Sequence, residues 1–229
     1  MQTTPIELLP AADVRTRPPA IAFTFDDGPH PDGTPQILDV LAAHGARATF
    51  FVLGRCAAQW PNLVRRAVDE GHLVANHTYD HPCLIGLSPL ALARQLWRCE
   101  RSVREAGVHT ARILRPPFGA ADGTTVRHAA VLGYRCVNWS IAGEDWRGDS
   151  AAVIAERVLG AMHPGAIVLL HDGLEPAHGS TWRDDGGDRS VRDRRPTAHA
   201  LDRILREVHA RGWRCVTLAA PFGGREAQR

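Results

Sequence analysis

Short runs of aliphatic, aromatic and β-branched residues recur along this chain, and each is separated from the next by a stretch whose apolar residues fall at helical spacing. The strand-like runs are residues 20–25, 48–52, 73–75, 113–115, 135–139, 166–170 and 214–218. The helical stretches are 34–44, 61–69, 89–106, 122–132, 150–162 and 197–212. Ser88-Pro89 marks one helix start, a capping hydroxyl followed by a proline whose missing N–H costs nothing there. Ala166 to Leu170 is apolar throughout, the pattern of a strand buried on both faces. Strands joined through helices return to the same end of the sheet and pair in parallel, so seven of them predict an α/β fold closed or nearly closed into a barrel.

A chain of 229 residues with one such series and no internal repeat fits a single domain. It divides into a polar, proline-bearing lead-in (1–19), the domain proper (20–220) and a tail (221–229). With 27 Lys+Arg against 25 Asp+Glu there is no basic stripe to neutralise a phosphate backbone, which argues against nucleic acid as a partner. There is no run of 18 apolar residues and no signal-peptide pattern at the amino end, so a membrane partner is not expected and a cytoplasmic location is; a leader cut away behind a replacement Met1 leaves secretion open. Five cysteines without a Cys-x-x-Cys pair point to reduced, mostly buried thiols. Residues 174–196 lose all apolar period and carry five arginines and four aspartates, the pattern of a long surface loop or lid.

The active site of a parallel barrel lies at the carboxyl ends of its strands, and two motifs stand there. Asp26 and Asp27 end the first strand and are followed by Gly28-Pro29, which turns the backbone so that both carboxylates can reach one pocket. His77 and His81 follow the third strand; on a helical turn, residues four apart share a face and can hold one metal ion. Taken alone, the first motif also suits a solvated turn and the second an ordinary surface pair. Together they make an Asp-His-His set with open coordination positions.

Thr24-Phe25-Asp26-Asp27-Gly28-Pro29 and His77-Thr78-Tyr79-Asp80-His81 resemble the first two motifs of the polysaccharide deacetylases, family 4 carbohydrate esterases that share a nodulation-deacetylase homology domain. Arg115-Pro116-Pro117-Phe118-Gly119 is similar to the third motif and Leu169-Leu170-His171-Asp172 to the fifth. The fourth departs: where the family has Asp-x-x-Asp-Trp, this chain has Ala142-Gly143-Glu144-Asp145-Trp146. The likeness runs from about residue 20 to 218 and, within the family, is strongest toward the chitooligosaccharide deacetylases.

The resemblance implies a distorted (β/α)7 barrel and a metal-dependent hydrolase removing acetyl groups from N-acetylglucosamine-containing oligosaccharides. It implies that Asp27, His77 and His81 hold a divalent ion, zinc first, with cobalt or nickel as alternatives. Asp26 is then the base, kept ionised and aimed by Arg115, and His171 the acid that protonates the departing amine. Asp145 orients the catalytic His171 or Arg115, and Asp172 supports the His171 loop. The Phe118 N–H shares the oxyanion, while Trp146 and Leu169 wall a slot for the acetyl methyl. Cys83 is expected as a buried small hydrophobe. The implied partner is an N-acetylated amino sugar. Peptidoglycan, acetylated xylan and a small intracellular glycoside stand as alternative substrates, a non-catalytic barrel stands as a further reading, and oligomeric state is not legible.

Overall fold

The computed structural model describes residues 3–9, 18–173 and 193–218. Residues 174–192 of the loop expected at 174–196, residues 1–2 and 10–17 of the lead-in and everything after 218 lie outside the described residues.

Eight strands are present among the described residues: β1 (Ala20–Asp26), β2 (Thr49–Val52), β3 (Leu73–Asn76), β4 (Ala111–Leu114), β5 (Arg135–Cys136), β6 (Ile141–Ala142), β7 (Ile167–His171) and β8 (Arg214–Cys215). Between them run helices α1 (Thr34–Ala43), α2 (Gly54–Gln59), α3 (Pro61–Asp69), α4 (Pro89–Glu105), α5 (Gly123–Val131), α6 (Ala151–Ala161) and α7 (Arg195–Ala210). All strand pairs are parallel, in the order β5-β4-β3-β2-β1-β7-β6. Strand β8 pairs with the first two residues of β1. The fold is a single α/β domain around a curled parallel sheet, in keeping with a distorted barrel.

The helices form where sequence chemistry starts them. Ser88 and Asp122 accept hydrogen bonds from the backbone N–H three residues on, at 3.2 and 2.7 Å, satisfying donors that the first turns of α4 and α5 would otherwise leave open. In α7 the buried face is Leu201, Ile204, Leu205 and Val208, each worth about 1.5–3 kcal/mol when removed from water. Strand parity divides the barrel. Phe23, Phe25, Phe50, Val168 and Leu170 face outward beneath the helices, while Ala22, Phe51, Ala75, Ile113 and Ile167 build an inner apolar floor.

Several expected boundaries shift. The run 135–139 is only a two-residue strand, β5, after which Val137 bridges Ile6, and the chain then makes an eighth strand, β6, too short to leave a period in sequence. The final strand stops at Cys215 rather than Leu218. Helix α7 starts at Arg195, because Pro196 sits in its first turn where no N–H is needed. Residues 3–9 are more than a lead-in. Ile6 bridges Val137 and Leu8 bridges Ala166, so this segment straps the seam between the β5 and β7 sides, with Leu9 buried in the floor. Cys83 is exposed, whereas Cys56, Cys99 and Cys136 are buried; burial pushes these three thiols up to about 12, so they are protonated and inert at neutral pH. No helix among the described residues is long and apolar enough to cross a membrane.

Candidate active site

Strand β1 delivers Asp26 to the barrel interior, two residues above Thr24 on the same face. The next residue, Asp27, has left-handed backbone (φ 71), and this turn rather than strand geometry brings the second carboxylate beside the first. The turn is held from β7. The backbone N–H groups of Asp172 and Gly173 donate to the Asp26 carbonyl at 3.2 and 3.3 Å, and Thr34 Oγ1 donates to the buried Asp172 carboxylate. Burial, with Asp27 and Asp26 nearby, pushes the Asp172 carboxyl up to about 7. Asp172 therefore supports the Asp27 turn as well as the His171 strand end.

A Cβ placed on Gly173 would lie 2.2 Å from the Asp27 carbonyl oxygen, against backbone that cannot swing aside. We expect Gly173→Ala to cost about 1–3 kcal/mol, a fall in melting temperature of about 2–4 °C for each kcal/mol, and to weaken metal binding in parallel. Thermal melts and a metal titration of the same variant check this. An unchanged melt would mean that the turn is not packed as described.

His77 and His81 do converge, but not as members of a helical turn. Residues 77–81 are irregular, with positive φ at Thr78 (73°) and His81 (60°). The buried Asn76 side chain accepts the Thr78 N–H at 2.8 Å, and Thr78 Oγ1 accepts the His81 N–H at 3.0 Å. These local side-chain bonds shape the loop where helical periodicity would have placed the rings differently. Asn76 is in turn fixed by bonds from its amide to the Leu96 carbonyl and to Tyr134 Oη, both 3.0 Å.

The ligand atoms of Asp27, His77 and His81 lie within 4.8 Å of one another, and all three residues are buried. His77 Nδ1 meets the Arg115 carbonyl at 2.8 Å; a carbonyl only accepts, so Nδ1 carries the hydrogen and Nε2 turns its lone pair inward. Both Nε2 atoms face Asp27 Oδ1 at 3.4 Å, and that oxygen is buried without a hydrogen bond. Lone pairs gathered around an unsatisfied buried carboxylate oxygen fit a divalent cation. The electrostatics agree. Burial works to raise the Asp27 carboxyl, but the imidazoles of His77, His171 and His81 outweigh it and hold Asp27 well below the usual carboxylate range. Burial, then His77, lowers His81 to about 3, so it is a neutral ligand. Burial alone would lower His77, yet Asp26 and Asp27 draw it upward, and the field that favours a proton there favours a metal cation equally.

Asp26 keeps clear of this set. Its Oδ1 receives Arg115 Nη1 at 2.8 Å and its Oδ2 stands 3.8 Å from His77 Nε2. Arg115 is fully buried and well satisfied: it also donates to Thr24 Oγ1 (2.7 Å) and to the carbonyls of Val137 (3.3 Å) and Asn138 (2.8 Å), with the Phe51 ring 4.1 Å below its guanidinium. Thr24 was not legible as a site residue, although its place two before Asp26 on one strand face was the available signal.

On the other side, Asp145 receives both His171 Nδ1 (2.8 Å) and the His171 backbone N–H (2.9 Å). Asp145 thus orients the histidine and makes no contact with Arg115 among those described. Burial alone would lower His171, but the charge and hydrogen bond of Asp145 raise it to about 9, leaving it protonated at neutral pH with Nδ1, not Nε2, engaged by Asp145. Trp146, 41 % exposed, stands edge-on to the His171 ring at 5.2 Å. Leu169 is buried two residues before His171, opposite Ala142 in register, so the missing acid of the fourth motif leaves a small apolar position on the inner face. Phe118 has left-handed backbone (φ 60) and packs its half-exposed ring on His81 at 4.6 Å.

Residues 13–137 match the family model described as polysaccharide deacetylase. The chain is 39 % identical over 199 residues to a chitooligosaccharide deacetylase of Sinorhizobium fredii, covering 86 % of this chain and 89 % of that one. It is 35 % identical over 202 residues to a peptidoglycan-N-acetylglucosamine deacetylase of Bacillus cereus, covering 88 % and 68 %. Its fold resembles the crystal structure of the Bc1960 peptidoglycan N-acetylglucosamine deacetylase, with a TM-score of 0.83 at 30 % identity over 99 % of this chain and 96 % of that one.

Proposed function

The chain belongs to the polysaccharide deacetylase family, and from that premise we propose that it removes N-acetyl groups from N-acetylglucosamine units of short chitin-type oligosaccharides. The observation that carries the reading is the meeting, at one end of the sheet, of an Asp-His-His cation cradle with two separately anchored proton carriers, Asp26 on Arg115 and His171 on Asp145. The preference for oligosaccharides rests on the chitooligosaccharide relative, which this chain matches over nearly its whole length.

An amide is a poor electrophile with a poor leaving group, so its hydrolysis needs an activated water, a charge sink and a proton donor. Asp27, His77 and His81 would hold a divalent cation, zinc foremost by its preference for imidazole and carboxylate, that polarises the acetyl oxygen and acidifies water when bound. Asp26 takes the proton of the attacking water through Oδ2, while Arg115 fixes its other oxygen. The Phe118 N–H donates to the oxyanion. His171 Nε2 gives its proton to the departing sugar amine, with Nδ1 held by Asp145. Trp146 and Leu169, both beside His171, line the methyl slot, and a slot of that size discriminates by about 1–3 kcal/mol per methylene.

A second reading, a peptidoglycan deacetylase, is favoured by the structural likeness that spans almost the entire chain. Metal-loaded protein given N-acetylated chitin oligomers, peptidoglycan fragments and acetylated xylan separates the possibilities, with acetate and free amine followed independently. Amine from the oligomers supports the leading reading. Amine from peptidoglycan alone replaces it with the second, and acetate without amine points to an O-esterase.

The pH profile carries its own sign. His171 is a competent acid while protonated, so the rate falls as pH rises through its pKa, which Asp145 holds up. In Asp145→Asn the largest raising charge is gone, and only the weaker pull of Asp27 and Asp26 is left against burial, which lowers it. The alkaline limb of kcat/KM therefore moves to lower pH by at least about one unit. Both proteins carry the same cation, so the displacement between the two profiles is the readout. Coincident alkaline limbs would remove Asp145 from the mechanism.

A further inference from the structure

Two side chains at the amino end of α7, its cap Arg194 and Thr197 in its first turn, reach the carboxylate that holds the proton donor, across about fifty residues of sequence. Arg194, only 2 % exposed, donates from Nη1 to the Asp145 backbone carbonyl at 3.1 Å, and the same nitrogen lies 3.5 Å from carboxylate Oδ2. Thr197 Oγ1 donates to that Oδ2 at 2.9 Å. Oδ1 is left to His171 Nδ1. The terminal torsion of an aspartate is broad, so a carboxylate held by one neighbour swings. Here Oδ2 is fixed by Thr197 and the His171 backbone N–H, and Arg194 grips both the backbone and the charge.

We propose that Arg194 and Thr197 are positioning residues for the proton donor: they lock the Asp145 carboxylate so that His171 presents Nε2 to the leaving amine, and Arg194 keeps Asp145 compensated once that proton has gone. The proposal rests on the reading of His171 as the donor. Its physical basis is charge balance. Asp145 has a fully buried side chain, and a buried carboxylate is costly unless paired. Before transfer the imidazolium is its partner. After transfer the imidazole is neutral and the Arg194 guanidinium is the remaining cation on that carboxylate among its described contacts. The clamp is rigid because Arg194 caps α7, its carbonyl accepting the Ala198 N–H at 3.0 Å, and α7 is fixed by its buried apolar face. Core packing on the outer layer thus sets the aim of a catalytic group at the strand ends.

The test is a double-mutant cycle in metal-loaded full-length protein, assayed by amine release. We expect Arg194→Ala to lower kcat roughly 10- to 100-fold with little change in KM, the scale of a misaligned catalytic group. Arg194→Lys, which keeps the charge, recovers part of the loss. Guanidinium added to Arg194→Ala at millimolar concentration restores activity, and urea, its neutral analogue, does not. In a His171→Ala background, Arg194→Ala has almost no further effect, because the residue acts through the imidazole already removed. If Arg194→Ala does not fold, Arg194→Lys and the near-isosteric Thr197→Val complete the same cycle. Loss by the same factor in both backgrounds would overturn the proposal in favour of a merely structural role, as would full activity in a folded Arg194→Ala. If His171→Ala is crippled and Arg194→Ala is not, the clamp fails while the donor stands. If His171→Ala is fully active, both fall together.

Discussion

Replacing Asp26 with asparagine lowers kcat by about 10²–10⁴-fold, the contribution of a positioned general base, while metal affinity stays within a few-fold of the parent. The two halves of that expectation come from one geometry. Asp26 gives one oxygen to Arg115 at 2.8 Å and holds the other 3.8 Å from His77, outside the cluster of ligand atoms that Asp27 completes. Asparagine preserves shape and can still accept from Arg115, but it cannot take a proton from water. It also leaves a fully buried guanidinium without its carboxylate, so we expect a stability loss, at most the roughly 3–5 kcal/mol of a broken buried pair. Steady-state kinetics, a thermal melt and a metal titration on the one variant check all three points. A kcat within tenfold of the parent would show that the base lies elsewhere.

His77→Ala acts on the other half of the site. It removes one of three protein ligands, and with structural zinc sites of four ligands worth about 10–16 kcal/mol in all, one ligand is worth about 2.5–4 kcal/mol, or roughly 10²–10³ in affinity. Activity at low metal falls at least as far. A calorimetric signature accompanies the loss. A ligand that binds only the folded protein stabilises it by about 2.7 kcal/mol at 100 times its Kd, which for a chain of this size raises the melting temperature by roughly 5–11 °C. The parent shows that rise on addition of zinc and the variant at the same concentration does not. Equal rises in both would place the ion away from His77.

The sequence was most readable where chemistry is local and periodic. Alternating strand and helix patterns put seven parallel strands in order because each helix carries its apolar face at 3.6-residue spacing, as Leu201, Ile204, Leu205 and Val208 do. The Asp26-Asp27 turn was legible because Gly28 and Pro29 break a strand, and Asp27 adopts the positive φ such a turn requires. Elements too short for a period were not. Strand β6 has two residues, and helix α2 has six with no side-chain cap. The strap at 3–9 is held by isolated bridges whose partners lie more than a hundred residues away. The His77 and His81 pair shows how a sound pairing can rest on the wrong periodicity. The two rings meet because Asn76 and Thr78 bend an irregular loop, and a spacing of four merely allowed it. Arg194 reads as one more arginine of the charge-rich stretch 174–196 and Thr197 as the residue after it, although Pro196 in the first turn marks a helix start that groups them.

The most direct measurement is a titration of metal-stripped protein with zinc, following free amine released from an N-acetylated chitin oligomer. The account predicts negligible release from the stripped protein, a rise that is complete at one equivalent of metal, and no rise in a variant lacking Asp27. Undiminished amine release by the stripped protein would contradict it.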